Sequence, residues 1–276
     1  MNKSLVWLAS YPKSGNTWTR IFLANYFANP EEPLSINKAD MFGTNDAQAF
    51  MYRKAAGGDL DLNDQRRVLG LRDRVLRGIA GNGADFNFLK SHFAVRPAFG
   101  TPLIPAQYSR SAVYIVRNPL DVVLSLARHF GLDHRGAVDL MGRSDFVTEP
   151  TPTQVSQFVG SWSDHVMSWT SEKEIPVFIM RYEDMLADPA KCFSDMLRHI
   201  GIPVDEPRLE KAVRFSDFEE LSQQESKAVF KEAPHYDQRF FAKGSSGQWK
   251  TDLKPELAEK LTERHREVMA KFDYTD

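Results

Sequence analysis

Apolar residues fall along the chain in two kinds of pattern. Four short continuous runs, Leu5–Ala9, Phe86–Lys90, Ala112–Val116 and Val177–Tyr182, read as buried strands. Between them, apolar positions recur at helical spacing. One helix is predicted from near Gly15, with Trp18, Ile21, Phe22 and Tyr26 on one face. A second runs from Pro119 to Phe130, with Asn118 as N-cap and proline at the first helical position. A third, over 155–169, lines up Phe158, Trp162, Val166 and Trp169. The last spans Lys254 to Phe272 and turns Leu257, Leu261 and Val268 inward. Within 66–77 and just beyond, Val68, Val75 and Ile79 form an inward stripe. Arg66, Arg67, Arg72, Arg74 and Arg77 then read as a solvated face. Strands alternating with helices predict an α/β fold, a single domain over 1–276 with a central parallel sheet flanked by helices. Two stretches stand out from that core: 132–152, rich in Gly, Pro and polar residues, and 226–247, which mixes aromatics with charges. Long irregular loops of this kind serve as lids or binding loops.

Charge and cysteine content narrow the function classes. Over 276 residues, Lys plus Arg is 35 and Asp plus Glu is 37, a net charge of −2, which argues against general affinity for nucleic acid or an anionic membrane. The lone cysteine, Cys192, excludes an intramolecular disulfide framework and a cysteine-based zinc cluster. No apolar run approaches the roughly 20 residues of a membrane span, and Leu5–Ala9 is too short for a signal-peptide core. The expectation is a soluble, cytoplasmic protein.

Candidate chemistry concentrates in SYPKSGNTW, residues 10–18. A buried strand, a tight turn containing Pro12 and Gly15, and a helix start follow one another, a P-loop-like arrangement. Such a strand–turn–helix aims backbone N–H groups and a helix N-terminus at one point, which suits an anion. Lys13 adds a positive charge, Ser14 and Thr17 hydroxyls, and Asn16 an amide donor. The spacing differs from the ATPase loop, whose lysine follows the second glycine.

This stretch resembles the 5′-phosphosulfate loop of the cytosolic-type sulfotransferases, which use 3′-phosphoadenosine 5′-phosphosulfate (PAPS) as sulfuryl donor. Asn16 replaces the family's usual threonine. Two further matches follow in order. In YIVRNPLDVVLSLARHF, residues 114–130, Arg117 and Ser125 fall where the family reads the donor's 3′-phosphate. KGSSGQWK, residues 243–250, resembles the C-terminal signature, with Lys243 and Gly244 at the phosphate. Ala242 stands where the family carries an arginine, with Arg239 as the nearby candidate to replace it. Tyr182 and Phe218 fall where the family packs aromatics near the adenine, and Trp18 closes the first motif. The lead-in WLASYPKSGNTW looks like that of bacterial enzymes acting on secondary metabolites, including glycopeptides.

The chemistry implied by the resemblance is in-line sulfuryl transfer from PAPS to a hydroxyl of a small or medium organic acceptor, without a metal, releasing adenosine 3′,5′-bisphosphate (PAP). Of seven histidines, His92 lies just past a predicted strand end, in LKSHF, residues 89–93. That segment resembles the family's KTH segment, which implies His92 as general base and Lys90 beside the transferring group, with Lys13 meeting the leaving phosphate. His129 and His235 are lesser candidates, and His165 reads as core. The competing readings are a metal-dependent small-molecule kinase, for which Mg²⁺ ligands and the lysine spacing are missing, and a non-catalytic nucleotide binder. Acceptor identity and oligomeric state stay open at this level.

Overall fold

The computed structural model describes residues 3–233, 239–241 and 243–275. Its centre is a parallel sheet of five strands, β1 (Leu5–Ser10), β2 (Thr44–Asn45), β3 (Asn87–Ser91), β6 (Ser109–Val116) and β7 (Val177–Arg181), in the order β2-β3-β1-β6-β7. A small antiparallel pair, β4 (Pro97–Ala98) and β5 (Thr101–Pro102), stands apart. All four runs read as strands are strands, with ends shifted by a residue, except that β6 begins three residues earlier than its apolar run. β2 has no apolar run to betray it, and Tyr182 opens a short helix instead of ending β7.

Period-two alternation divides the core. Leu5, Trp7, Ala9, Ala112 and Tyr114 face one layer, with Trp162 and Trp169. Val6, Leu8, Val113 and Ile115 face the other, with Phe22 and Phe193 stacked at 3.9 Å between ring centroids. β1 and β6 are covered on both faces, which explains their continuous apolar sequence. Helix Pro119–Phe130 forms as expected, its Asn118 side chain accepting from the Leu120 N–H. The last helix runs Pro255–Ala270.

Three expectations need correction. The helix expected over 155–169 begins only at Trp162, where the Ser161 hydroxyl caps the Asp164 N–H. Residues 155–160 are buried on every side, so no polar face favours a helix there. Instead Val155 and Val159 donate to Ala47 and Phe146 carbonyls, and Phe158 accepts from Ala94. The 132–152 stretch is not wholly irregular: a helix, His134–Met141, is capped by Asp133 and buries Ala137, Val138 and Met141. Finally, the arginine stretch is split. Arg66, Arg67, Arg74 and Arg77 are exposed, but Arg72 is fully buried.

Arg72 is the hub of an internal polar network. It donates to Asp46 Oδ2 (2.5 Å), the Tyr52 hydroxyl (2.8 Å) and the Leu103 carbonyl (2.6 Å), and stacks over Phe93. Asp46 also accepts from Ser91 Oγ at 3.0 Å, so the network grips the end of β3. Removing one member of such a pair strands a buried charge, which costs about 3–5 kcal/mol. Asp46→Ala is therefore expected to lower unfolding free energy in urea by about that amount, whereas a surface arginine variant such as Arg74→Ala is expected to change it little.

Candidate active site

No described helix is long and apolar enough to cross a membrane. The C-terminal ends of the parallel strands converge on one cavity of about 730 Å³. β1 delivers the 11–15 turn, β2 Asn45, β3 Lys90 and His92, β6 Arg117, and β7 Tyr182. β1 leads away towards β3 and β6 towards β7, so the crevice between β1 and β6 is the switch point where α/β sheets bind ligands.

The 11–15 turn has an unusual backbone. Lys13 has φ +71° and Gly15 φ +111°. A Cβ on Gly15 would sit 2.8 Å from the Tyr182 ring, so only glycine permits this approach. Helix Asn16–Ala28 begins without a side-chain cap, leaving its first N–H groups for a ligand. Asn16, expected to donate to that ligand, uses its amide inside the protein. It donates to the Leu8 carbonyl (2.7 Å) and accepts from Arg20 Nε (3.1 Å), anchoring the turn to β1. Ser14 is fully buried, its Oγ lacks a partner among the described residues, and it does not line the cavity wall.

Cations crowd the cavity. Lys13, Lys90, Arg117 and Arg128 all line it. The Lys13 ammonium lies 3.8 Å from the centroid of the Phe240 ring. Burial brings its pKa down to about 7; Glu232 resists, and the charges of Lys90, Arg128 and Arg117 add to the fall. Glu232 is the counter-ion that the sequence did not disclose. Its carboxylate accepts from Thr17 Oγ1 (2.7 Å) and Arg20 (2.5 Å) and lies 3.8 Å from Lys90. Burial would push the Glu232 carboxyl up, but Lys90, Arg20 and the Thr17 hydroxyl outweigh it and hold it well below the usual carboxylate range.

Beside the cations lies an aromatic slot. Trp18, Tyr182 and Phe218 line it, with Trp18 edge-on to Tyr182. Arg117 lies 4.3 Å over the Tyr182 ring and donates to the Lys13 carbonyl (3.3 Å) and the Ser245 carbonyl (3.4 Å), joining the turn to the 243–248 loop. Its Nε has no partner among the described residues. Gly244 has φ +59°, and a Cβ there would overlap the Phe218 ring. Asp121, buried and unpredicted, fixes this loop by accepting from the Gly247 (2.7 Å) and Trp249 (3.1 Å) N–H groups. Lys243 lines the cavity, but its ammonium pairs with Asp252 at 2.6 Å. Ser125 and Arg128 extend the wall along helix Pro119–Phe130. Arg239 is exposed and off the wall, so it does not replace the family arginine; Arg128 is the described guanidinium near Arg117. Ala242 and His235 lie outside the described residues.

His92 sits where the end of β3 meets the end of β1. Its Nδ1 is 2.8 Å from the Ser10 carbonyl, which accepts only a proton-bearing nitrogen. That contact assigns the tautomer with hydrogen on Nδ1 and a lone pair on Nε2. Burial first, then the Lys90 charge, holds His92 well below the ordinary histidine pKa, so it is neutral at pH 7. His165 backs it, bonded to the His92 carbonyl and the Tyr114 hydroxyl, and is core as expected. His129 lines the cavity beside Phe130. Among the described residues, no three His, Cys, Asp or Glu side chains group to hold a metal ion.

Residues 3–273 match the family model described as Sulfotransferase domain. Sulfotransferase 1 family member D1 of Mus musculus is 24% identical over 95% of this chain and 82% of its own length. Among solved structures, a mouse sulfotransferase complexed with PAP superposes with a TM-score of 0.63 at 22% identity, covering 100% of this chain and 91% of that one. Retinol dehydratase in complex with androsterone and the inactive cofactor PAP gives 0.66 at 16%, covering 98% and 81%. Since the match runs nearly end to end over a parallel sheet whose strand ends gather a phosphate-type turn and a cation cluster, the chain belongs to the sulfotransferase family and is a PAPS-dependent sulfotransferase.

Proposed function

We propose that this enzyme transfers the sulfuryl group of PAPS to an acceptor hydroxyl with His92 as general base. The observation that carries this reading is the Nδ1 contact of His92 with the Ser10 carbonyl at the edge of the cation cluster. It leaves Nε2 as the basic nitrogen, beside Lys90 and the 11–15 turn.

In this reading the 5′-phosphosulfate lies on the N–H groups at the start of helix Asn16–Ala28, with Thr17, Lys13 and Lys90 around it. The adenine occupies the slot of Trp18, Tyr182 and Phe218, against Gly244. Arg117, Ser125 and Arg128 receive the 3′-phosphate, with Lys243 at its margin. The orphaned Arg117 Nε and Trp18 Nε1 supply donors that fit such an anion and its base. Because Glu232 holds Thr17, Arg20 and Lys90, its carboxylate gives way when the donor binds among them. That requires the backbone around Glu232 to shift.

His92 Nε2 then takes the acceptor proton while the acceptor oxygen bonds to sulfur in line. The bond from sulfur to the 5′-phosphate oxygen breaks, the electron pair leaves with that oxygen, and Lys13 meets the charge. Positioning and charge stabilisation carry most of the acceleration in such loose transfers, with phosphoryl transfer as the analogue.

Calorimetry separates the donor contacts. PAP is expected to bind tightly without Mg²⁺, and 5′-AMP more weakly, a loss of roughly 1.5–3 kcal/mol for the missing charged contact. Arg128→Ala should weaken PAP and leave 5′-AMP unchanged; equal loss for both ligands would remove Arg128 from the 3′-phosphate. His92→Ala is expected to lower kcat by about 10²–10⁴ while PAP affinity holds. Unimpaired turnover in that variant rules out the base assignment.

The pH profile follows from the two shifted groups. Lys13 must be protonated to meet an anion, and burial brings its pKa down to about 7. Donor kcat/KM is therefore full below pH 7 and declines as pH rises through it, whereas kcat, measured with the donor bound, lacks that limb. His92 is lowered well below 6.5, so the acid-side fall lies below that pH. A donor kcat/KM that rises through pH 7 contradicts this assignment.

A further inference from the structure

The half of the cavity beyond Lys13, Lys90 and His92 is walled by polar side chains. Asn45 and Gln48 come from the β2 end, and Thr148, Glu149, Gln154 and Gln157 from the 142–161 segment. Backbone pairing holds this wall. Gln48 bridges Gln154, and Val147 bridges Phe158, antiparallel in each case. The Thr148 N–H donates to the Gln157 carbonyl, and the Gln157 N–H to Thr148 Oγ1. Val147, Val155 and Phe158 pack with the core, which leaves the polar residues at the cavity.

Among the described residues these amides are left largely without side-chain partners. Gln48 and Gln154 make no side-chain hydrogen bond among the described residues, and Asn45 is engaged only through Oδ1, with the Ala47 N–H. Gln157 is 5% exposed and its Oε1 has no partner among the described residues. A buried amide in that state calls for donors and acceptors from a ligand. Phe130, 38% exposed on the same wall, offers an apolar face. Glu149 has no cationic partner among the described residues and disfavours an anionic acceptor.

Resting on the donor assignment above, we propose that the acceptor is a neutral polyhydroxylated molecule of the glycoside class, and not a flat apolar phenol or steroid alcohol. Several hydroxyls on one small ring both donate and accept, and so satisfy the amide groups together, while the C–H face of such a ring packs on Phe130. An apolar acceptor would leave the amides unpaired, and each unpaired group weakens binding on the order of tenfold to a hundredfold.

The test uses the full chain with radiolabelled PAPS and a panel of methyl β-glucoside, lactose, β-naphthol and a steroid alcohol. At least one glycoside is expected to be sulfated with kcat/KM roughly tenfold or more above the apolar acceptors. Gln157→Leu and Gln154→Leu, measured separately, should each cut glycoside kcat/KM about tenfold or more and leave PAP affinity unchanged, which also shows that each variant is folded. Preference for β-naphthol or the steroid, or no glycoside turnover by protein that binds PAP, overturns the proposal. So do leucine variants that keep full glycoside activity. Absence of PAP binding by the wild-type chain instead brings down the donor assignment, and this proposal with it.

Discussion

A half-buried lysine among other cations is the constraint around which this site is arranged. Lys13 is desolvated and flanked by Lys90, Arg117 and Arg128, so its charged form is sustained by whatever anion shares the cavity. In the structure that anion is Glu232, held by Thr17 and Arg20. A sulfuryl donor carries more charge and more acceptor oxygens than one carboxylate, so the same electrostatics favour exchange. Phe240 also packs against Lys13, so two residues of the C-terminal part of the chain meet this cation cluster.

The scaffold keeps these like charges together. The strand ends that carry them belong to one parallel sheet whose central strands are buried on both faces, so mutual repulsion is opposed by a large apolar core. Close to the chemistry, the Arg72–Asp46–Ser91 network holds the end of β3, and with it Lys90 and His92. Asp121 does the same for the 243–250 loop, to which Arg117 is also tied. The residues that position the site are thus buried and polar: Arg72 and Ser91 bond to both backbone and side chain, Asp46 to side chains, and Asp121 to backbone N–H groups.

Much of the fold and the core of the site were legible in the chain. Buried parallel strands announce themselves as continuous apolar runs, and Asn118-Pro119 marks a helix start through its cap. The Lys13-to-Trp18 turn, Lys90 to His92, and Arg117 to Ser125 are local motifs whose geometry is set by the few residues around them. Less readable was the state of individual groups. Asn16 looked like a ligand donor and proved to be an anchor. Arg72 shared a surface pattern with four exposed neighbours, yet points to a carboxylate far along the chain. The spacing of Phe158 with Trp162 imitated a helix in an irregular segment whose backbone bonds instead to Ala47, Ala94 and Phe146.

Local pattern therefore settled four of the five strands of the parallel sheet, the turn after β1, the order of the motifs and the family, because each rests on backbone geometry within a dozen residues or so. Pairing across the chain settled the remainder. Glu232 is distant in sequence from Thr17, Arg20 and Lys90, and nothing in its neighbourhood marks it as a counter-ion. The tautomer of His92 follows from a carbonyl on another strand. The polar wall of Gln48, Gln154 and Gln157 exists only where two separate loops meet. Electrostatics and hydrogen-bond satisfaction depend on who is near in space, and that is decided when the sheet and its loops close on one another.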